Sequence, residues 1–114
     1  MTELQDVLTA LESIREKINN DEKMGKKFKK WEGKTMEFRL TDLDTSVVVT
    51  FGSAKVEKIE ESSPLEKPTI LITADGETIS KVFTGEISGM KAYTAGKIKV
   101  KGAMTDLLKL QKLM

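Results

Sequence analysis

Apolar positions in the first twenty residues recur at three- and four-residue spacing: Leu4, Val7, Leu8, Leu11, Ile14 and Ile18. That period puts them on one side of an α-helix, and Thr2 with Gln5 three residues on predicts a capping box at its start. Asn19-Asn20-Asp21 interrupts the pattern. Met24, Lys26, Lys27, Phe28 and Lys30 then read as a short second helix running into Trp31 and closed by Gly33. Beyond it the period drops to two: Met36, Phe38 and Leu40 alternate with Glu37 and Arg39, and Val47, Val49 and Phe51 alternate with Val48 and Thr50. These are half-buried strands, with a turn at Asp42-Leu43-Asp44. A hairpin link at Gly52-Ser53 leads into a charged strand, Lys55 to Glu61, whose Glu57, Lys58 and Glu60 suit a sheet edge or an exposed face.

Ser62 to Pro68 reads as a loop, because neither proline has an N–H to give to a strand ladder. Ile70-Leu71-Ile72 is a fourth strand. Asp75 caps a helix that carries Ile79, Val82 and Phe83 and stops at Gly85, and a further helix from about Ser88 carries Met90 and Tyr93 to Gly96. Between Gly96 and Gly102, Ile98 and Val100 face one way while Lys97, Lys99 and Lys101 face the other, as in a half-buried strand. Met104 to Met114 forms a terminal helix with Met104, Leu107 and Leu108 along one side. The order of elements predicts an α+β fold: a mixed, mainly antiparallel five-stranded sheet with helices packed over one face. With 114 residues, positions 1–114 are expected to form one domain.

Charge narrows the function little, since 19 basic and 18 acidic side chains leave a net charge of +1. Affinity for a polyanion has to come from clustering. The chain has neither Cys nor His. Disulfides, thiolate metal sites and a cysteine nucleophile are excluded, and the usual general base and commonest zinc ligand are missing. No Gly-rich phosphate loop is present, and Asp75-Gly76-Glu77 lacks the alternating ligands of a calcium loop. No catalytic residue, metal ligand or cofactor is therefore assigned. The remaining enzymatic alternative is proton transfer by a carboxylate and Tyr93 in an apolar pocket. The N-terminus lacks the basic and apolar runs of a signal peptide, and no window approaches the roughly 18 apolar residues of a membrane span, so a cytoplasmic protein is expected. Lys112-Leu113-Met114 is not a peroxisomal address of the Ser-Lys-Leu type.

Two clusters carry candidate binding chemistry. Met24, Met36, Met90, Met104 and Met114, with few aromatic residues beside them, predict an adaptable apolar interior that either encloses a guest or only packs. Lys26-Lys27-Phe28-Lys29-Lys30-Trp31 joins basic and aromatic residues. Lys26, Lys27, Lys29 and Lys30 suit docking on anionic lipid; the same segment with exposed rings suits nucleic acid, the weaker reading; with Phe28 and Trp31 turned inward it is a solvated helix face.

Gly96-Lys97-Ile98-Lys99-Val100-Lys101-Gly102, two residues before Met104 and followed by Leu108-Lys109-Leu110-Gln111, resembles the C-terminal signature of sterol carrier protein 2 domains. Asp75-Gly76-Glu77-Thr78, Val82-Phe83 with Gly85, Met90 with Ala92-Tyr93, and Lys30-Trp31 with Gly33 resemble the family's preceding segments. The likeness runs over essentially the whole chain and is most specific from Asp75 onward, in the manner of a stand-alone member. It implies an apolar cavity between sheet and helices that binds a sterol, fatty acid or fatty acyl-CoA and serves as a non-enzymatic lipid carrier. It places Phe83, Met90, Tyr93, Ile98, Val100, Met104, Leu107 and Leu108 around the ligand, with Trp31 and Phe38 as further candidates and the Tyr93 hydroxyl available to a head group. The alternative is an interaction module built on the Lys26–Trp31 surface.

Overall fold

The computed structural model of the chain describes residues 2–114. Five strands, β1 (Thr35–Leu40), β2 (Thr45–Gly52), β3 (Lys55–Ser62), β4 (Ile70–Ala74) and β5 (Lys99–Gly102), form one sheet in the order β3-β2-β1-β4-β5. The first three make an antiparallel meander, β4 lies parallel to β1, and β5 runs antiparallel to β4. This is the mixed, mainly antiparallel α+β sheet that the sequence predicts.

The register explains which face is covered. Met36, Phe38 and Leu40 stand opposite Val49, Val47 and Thr45 on one side and Ile70, Ile72 and Ala74 on the other. Side chains alternate along a strand, so these residues share one apolar face, which continues to Val100 opposite Ile72. Helix α1 (Leu4–Asn19) covers part of it, burying Val7, Ala10, Leu11, Ile14 and Ile18 in contact with β3 and with α3 (Gly76–Phe83). The cap of α1 lies one residue later than Thr2 and Gln5 suggest: the Glu3 N–H donates to Asp6 Oδ2 at 2.8 Å, while Gln5 bonds to Thr9 at 3.2 Å. Asp75 caps α3 as expected, accepting from the Thr78 N–H at 2.7 Å.

Helix α2 (Glu22–Lys27) and a 3₁₀ turn at Lys29–Trp31 bring Phe28 and Trp31 against Phe51 of β2. The three rings meet at centroid distances of 5.0 to 5.7 Å, two pairs edge-to-face and one stacked, arrangements that add to the area they bury. Gly25 permits this approach. A Cβ there would stand 2.9 Å from the Ala54 carbonyl oxygen and 3.2 Å from that of Ile18. Ala54 also corrects the expected hairpin link, which is Ser53-Ala54 and not Gly52-Ser53; Gly52 still belongs to β2, and Ala54 takes the left-handed turn at φ 56°.

The opposite sheet face is mostly polar, yet its centre is covered, and Glu37, Ser46 and Val48 on it are buried. Glu37 points to it, as expected, yet is fully buried. The connection from β3 to β4 crosses this face, and the Leu65 N–H donates to Glu37 Oε1 at 3.0 Å. Ser46 Oγ at 2.7 Å and Arg39 Nε at 3.1 Å donate to Oε2. A buried carboxylate is tolerable when its acceptors are filled in this way. Glu37→Ala should lower unfolding free energy by about 1–3 kcal/mol and speed proteolysis within Ser62–Pro68. Chemical denaturation and limited proteolysis measure the two effects.

Candidate functional site

The last third of the chain builds one apolar groove. Helix α4 (Gly89–Thr94) begins at Ser88, whose Oγ accepts from the Lys91 N–H at 3.2 Å. It ends at Gly96, which adopts φ 78°, and the Lys97 N–H donates to the Ala92 carbonyl at 2.9 Å. That closure postpones pairing, so β5 starts at Lys99 and not at Gly96, while Ile98 is already buried. Val100, opposite Ile72, continues the covered face; Lys99 and Lys101 take the other.

Helix α5 (Met104–Gln111) crosses beyond β5 and is held by what lies behind it. Leu110 and Leu113 are buried. Lys109 Nζ donates to the Lys27 carbonyl and stands 5.7 Å from the Phe28 ring centroid. Lys17 Nζ donates to the Leu113 carbonyl at 2.8 Å, and Lys34 Nζ pairs with Asp106 at 3.2 Å. Between α4, β5 and α5 lies a cleft of about 180 Å³. Gly89, Met90 and Tyr93 border it on α4, Ile98 and Val100 form its floor, and Met104, Leu107, Leu108, Leu110, Gln111 and Met114 border it on the α5 side.

Seven of the eight residues assigned to a ligand by resemblance, Met90, Tyr93, Ile98, Val100, Met104, Leu107 and Leu108, border this groove. Phe83 does not: it packs edge-to-face on Phe38 at 5.4 Å inside the core, and Trp31 is likewise core. Gly89, Leu110 and Gln111 were not anticipated. Leu110 follows Leu107 by three residues and was legible as its helical neighbour. Gly89 was not legible, because its role is space: a Cβ there would lie 2.8 Å from Met114 Sδ.

The methionines do not all turn inward. Met36 is buried and Met24 and Met114 are half-buried, but Met90 is 51% exposed and Met104 70%. Tyr93 and Leu108 are also more than half exposed, and among the described residues these four are the exposed large hydrophobic side chains. The site is thus an open groove with an apolar rim. Six residues of α4 and eight of α5 turn one stripe to the interior and leave the next stripe at the surface.

Lys26, Lys27, Lys29 and Lys30 are exposed on α2 and its 3₁₀ extension, while Phe28 and Trp31 are buried. Their rings present no face on which a base can stack. Among the described residues no group of acidic side chains is placed to hold a metal ion, and no helix is long and apolar enough to cross a membrane. The pKa of Lys81 is raised by its hydrogen bond to Glu77 and by that carboxylate's charge, but this pair belongs to α3 and does not border the groove.

A mixed five-stranded sheet of this order with helices over one face is the fold of sterol carrier proteins. Residues 11–114 match the SCP-2 sterol transfer family, and the chain belongs to that family. It is 27% identical over 78 residues to hydroxysteroid dehydrogenase-like protein 2 of Rattus norvegicus, covering 68% of this chain and 15% of that protein's length. Among solved structures, the sterol carrier protein domain 2 of Helicoverpa armigera superposes with a TM-score of 0.68 at 23% identity, over 95% of this chain and 84% of that one. Sterol Carrier Protein 2 Like 2 from Aedes aegypti gives 0.66 at 17% identity, over 96% and 97%.

Buried and exposed borders of the groove should separate on mutation. Leu110→Ala removes a buried side chain and should cost about 2–5 kcal/mol, whereas Met104→Ala should change stability by no more than about 0.5 kcal/mol. Equilibrium unfolding of the two variants measures the difference.

Proposed function

We propose that this chain binds a hydrophobic lipid in the groove between α4, β5 and α5 and carries or presents it without chemical change. The observation that carries the reading is the coincidence of the exposed apolar side chains Met90, Tyr93, Met104 and Leu108 with the borders of a single cleft. Large apolar side chains left at a surface around a concave site mark a place where something apolar is received. Family membership points the same way.

A fatty acid or fatty acyl chain fits the cleft with less widening than a sterol. The opening of about 180 Å³ lies below the roughly 300–1,000 Å³ of sites that enclose a drug-sized molecule. A slender chain can lie along the floor of Ile98 and Val100 while the long, flexible methionines adjust around it. Each buried methylene contributes about 0.8 kcal/mol, so ten contribute about 8 kcal/mol before ordering and association costs. The Tyr93 hydroxyl and the Gln111 amide at the border are the polar groups available to a carboxylate or ester. Transfer of apolar surface supplies the driving force and no proton needs to move, so the carrier is non-enzymatic.

Titration of delipidated protein with a fluorescent fatty acid tests the reading. Saturable binding is expected in the wild type. Leu108→Glu should retain the fold, since Leu108 is 53% exposed, and weaken binding at least about ten-fold by setting a charge beside the buried chain. A folded wild type that does not bind would overturn the proposal.

A further inference from the structure

All the sulfur in this chain is methionine, since it has six methionines and no cysteine. Among the described residues the methionines divide by surroundings. Met36 is fully buried in the core, and Met24 is half-buried at its margin. Met90, Met104 and Met114 border the groove. Met104 on α5 is 70% exposed and Met90 on α4 is 51% exposed, so a thioether stands on each side of the opening. Met114 is half-buried, with its sulfur beside Gly89. Leucine is a near-isosteric helix former. What methionine adds at positions 90 and 104 is therefore flexibility and a nucleophilic sulfur within reach of solvent.

We infer that Met90 and Met104 form a reversible oxidation site through which hydrogen peroxide lowers the groove's hold on its cargo. The inference rests on the lipid reading above for its consequence and on side-chain exposure for its chemistry. The thioether sulfur attacks one peroxide oxygen, the O–O bond breaks, and the departing hydroxide takes the proton of the newly bound hydroxyl, leaving methionine sulfoxide and water. Sulfur loses two electrons and the peroxide gains them. Susceptibility follows exposure, so Met104 and Met90 react ahead of Met24 and Met114, and Met36 reacts last. Each modified side chain exchanges an apolar thioether for a polar group with an acceptor oxygen. An acyl chain has no donor for that oxygen, so cargo laid over it takes it from water without a partner. In the free protein both side chains are exposed, and sulfoxides there stay hydrated and leave the core packing intact. Methionine sulfoxide reductases reverse the change, a dithiol giving up two electrons to become a disulfide while the oxygen leaves as water.

The test treats delipidated protein with hydrogen peroxide, maps the added oxygen by mass spectrometry of its peptides, and titrates treated and untreated samples with the fluorescent fatty acid. Oxygen should be gained first at Met104 and Met90, later at Met24 and Met114, and last at Met36. While only the first two are modified, thermal unfolding should be unchanged and fatty-acid binding weaker by at least about five-fold. Methionine sulfoxide reductases for both epimers, with dithiothreitol, should restore it. Met90→Gln with Met104→Gln places a polar amide at both positions without oxidant and should weaken binding in the same direction. Met90→Leu with Met104→Leu should lose the response, its affinity after peroxide matching its own affinity before, whereas Met36→Leu should retain the response. Binding undiminished when Met90 and Met104 carry oxygen, oxidation of Met36 as fast as that of Met104, or a peroxide response that persists in the double leucine variant would overturn the inference. The untreated titration keeps the two readings apart: saturable binding that peroxide leaves unchanged removes only this inference, whereas no binding by the untreated protein removes the cargo and this inference with it.

Discussion

Everything at the groove end of this molecule depends on how α5 is held. An eight-residue helix has two turns and a little more, enough to present one stripe to a core. Leu110, with Leu113 just beyond the helix, forms that stripe and is buried. What fixes the helix against the body is largely polar and comes from behind: Lys109 to the Lys27 carbonyl, Lys17 to the Leu113 carbonyl, and Lys34 to Asp106. Tethers on the far side relieve the near side of any packing duty. Met104, Leu107 and Leu108 are left bordering an open cleft.

The sheet prepares the other wall by register. Parallel pairing of β4 with β1 puts Ile70 and Ile72 beside Met36 and Phe38, and β5 extends that face by one strand through Val100. The main core lies under β1, β2 and β4, where α1, α3 and the Phe28–Trp31–Phe51 cluster cover the apolar face. β5 is at the sheet edge, past the reach of that cover, and α4 and α5 are what remain to border it. The groove is thus the place where apolar sheet outruns the core helices. Glu37 secures the reverse side by binding the β3–β4 crossing through Leu65, which leaves the polar face closed there and the apolar face adaptable at its edge.

The elements were legible wherever one periodicity governed: the three-to-four spacing of α1, the alternation of β1 and β2, and the lysine alternation of β5 all match the structure. Ends were less legible. The α1 cap moved from Thr2 to Glu3, where the Asp6 carboxylate accepts from the Glu3 N–H, and the hairpin link from Gly52-Ser53 to Ser53-Ala54, where Ala54 takes the left-handed turn. The groove's border could be read because its residues fall within three consecutive elements of one segment with a family likeness. Its openness could not. A methionine at a helical apolar position looks the same in sequence whether the facing element is close, as for Met36, or absent, as for Met104. Phe83 was placed at the site by likeness, yet its partner is Phe38, a contact that only the parallel β1–β4 crossover creates.

Methionine methyl resonances would reveal a lipid in the groove, because Met36 samples the core and Met90, Met104 and Met114 sample the groove. With methyl-labelled protein titrated by a fatty acid, saturable shifts of the Met90, Met104 and Met114 methyls are expected, with little change at Met36. Shifts confined to Met36 and Met24, or none at saturating fatty acid, would contradict a lipid site between α4, β5 and α5.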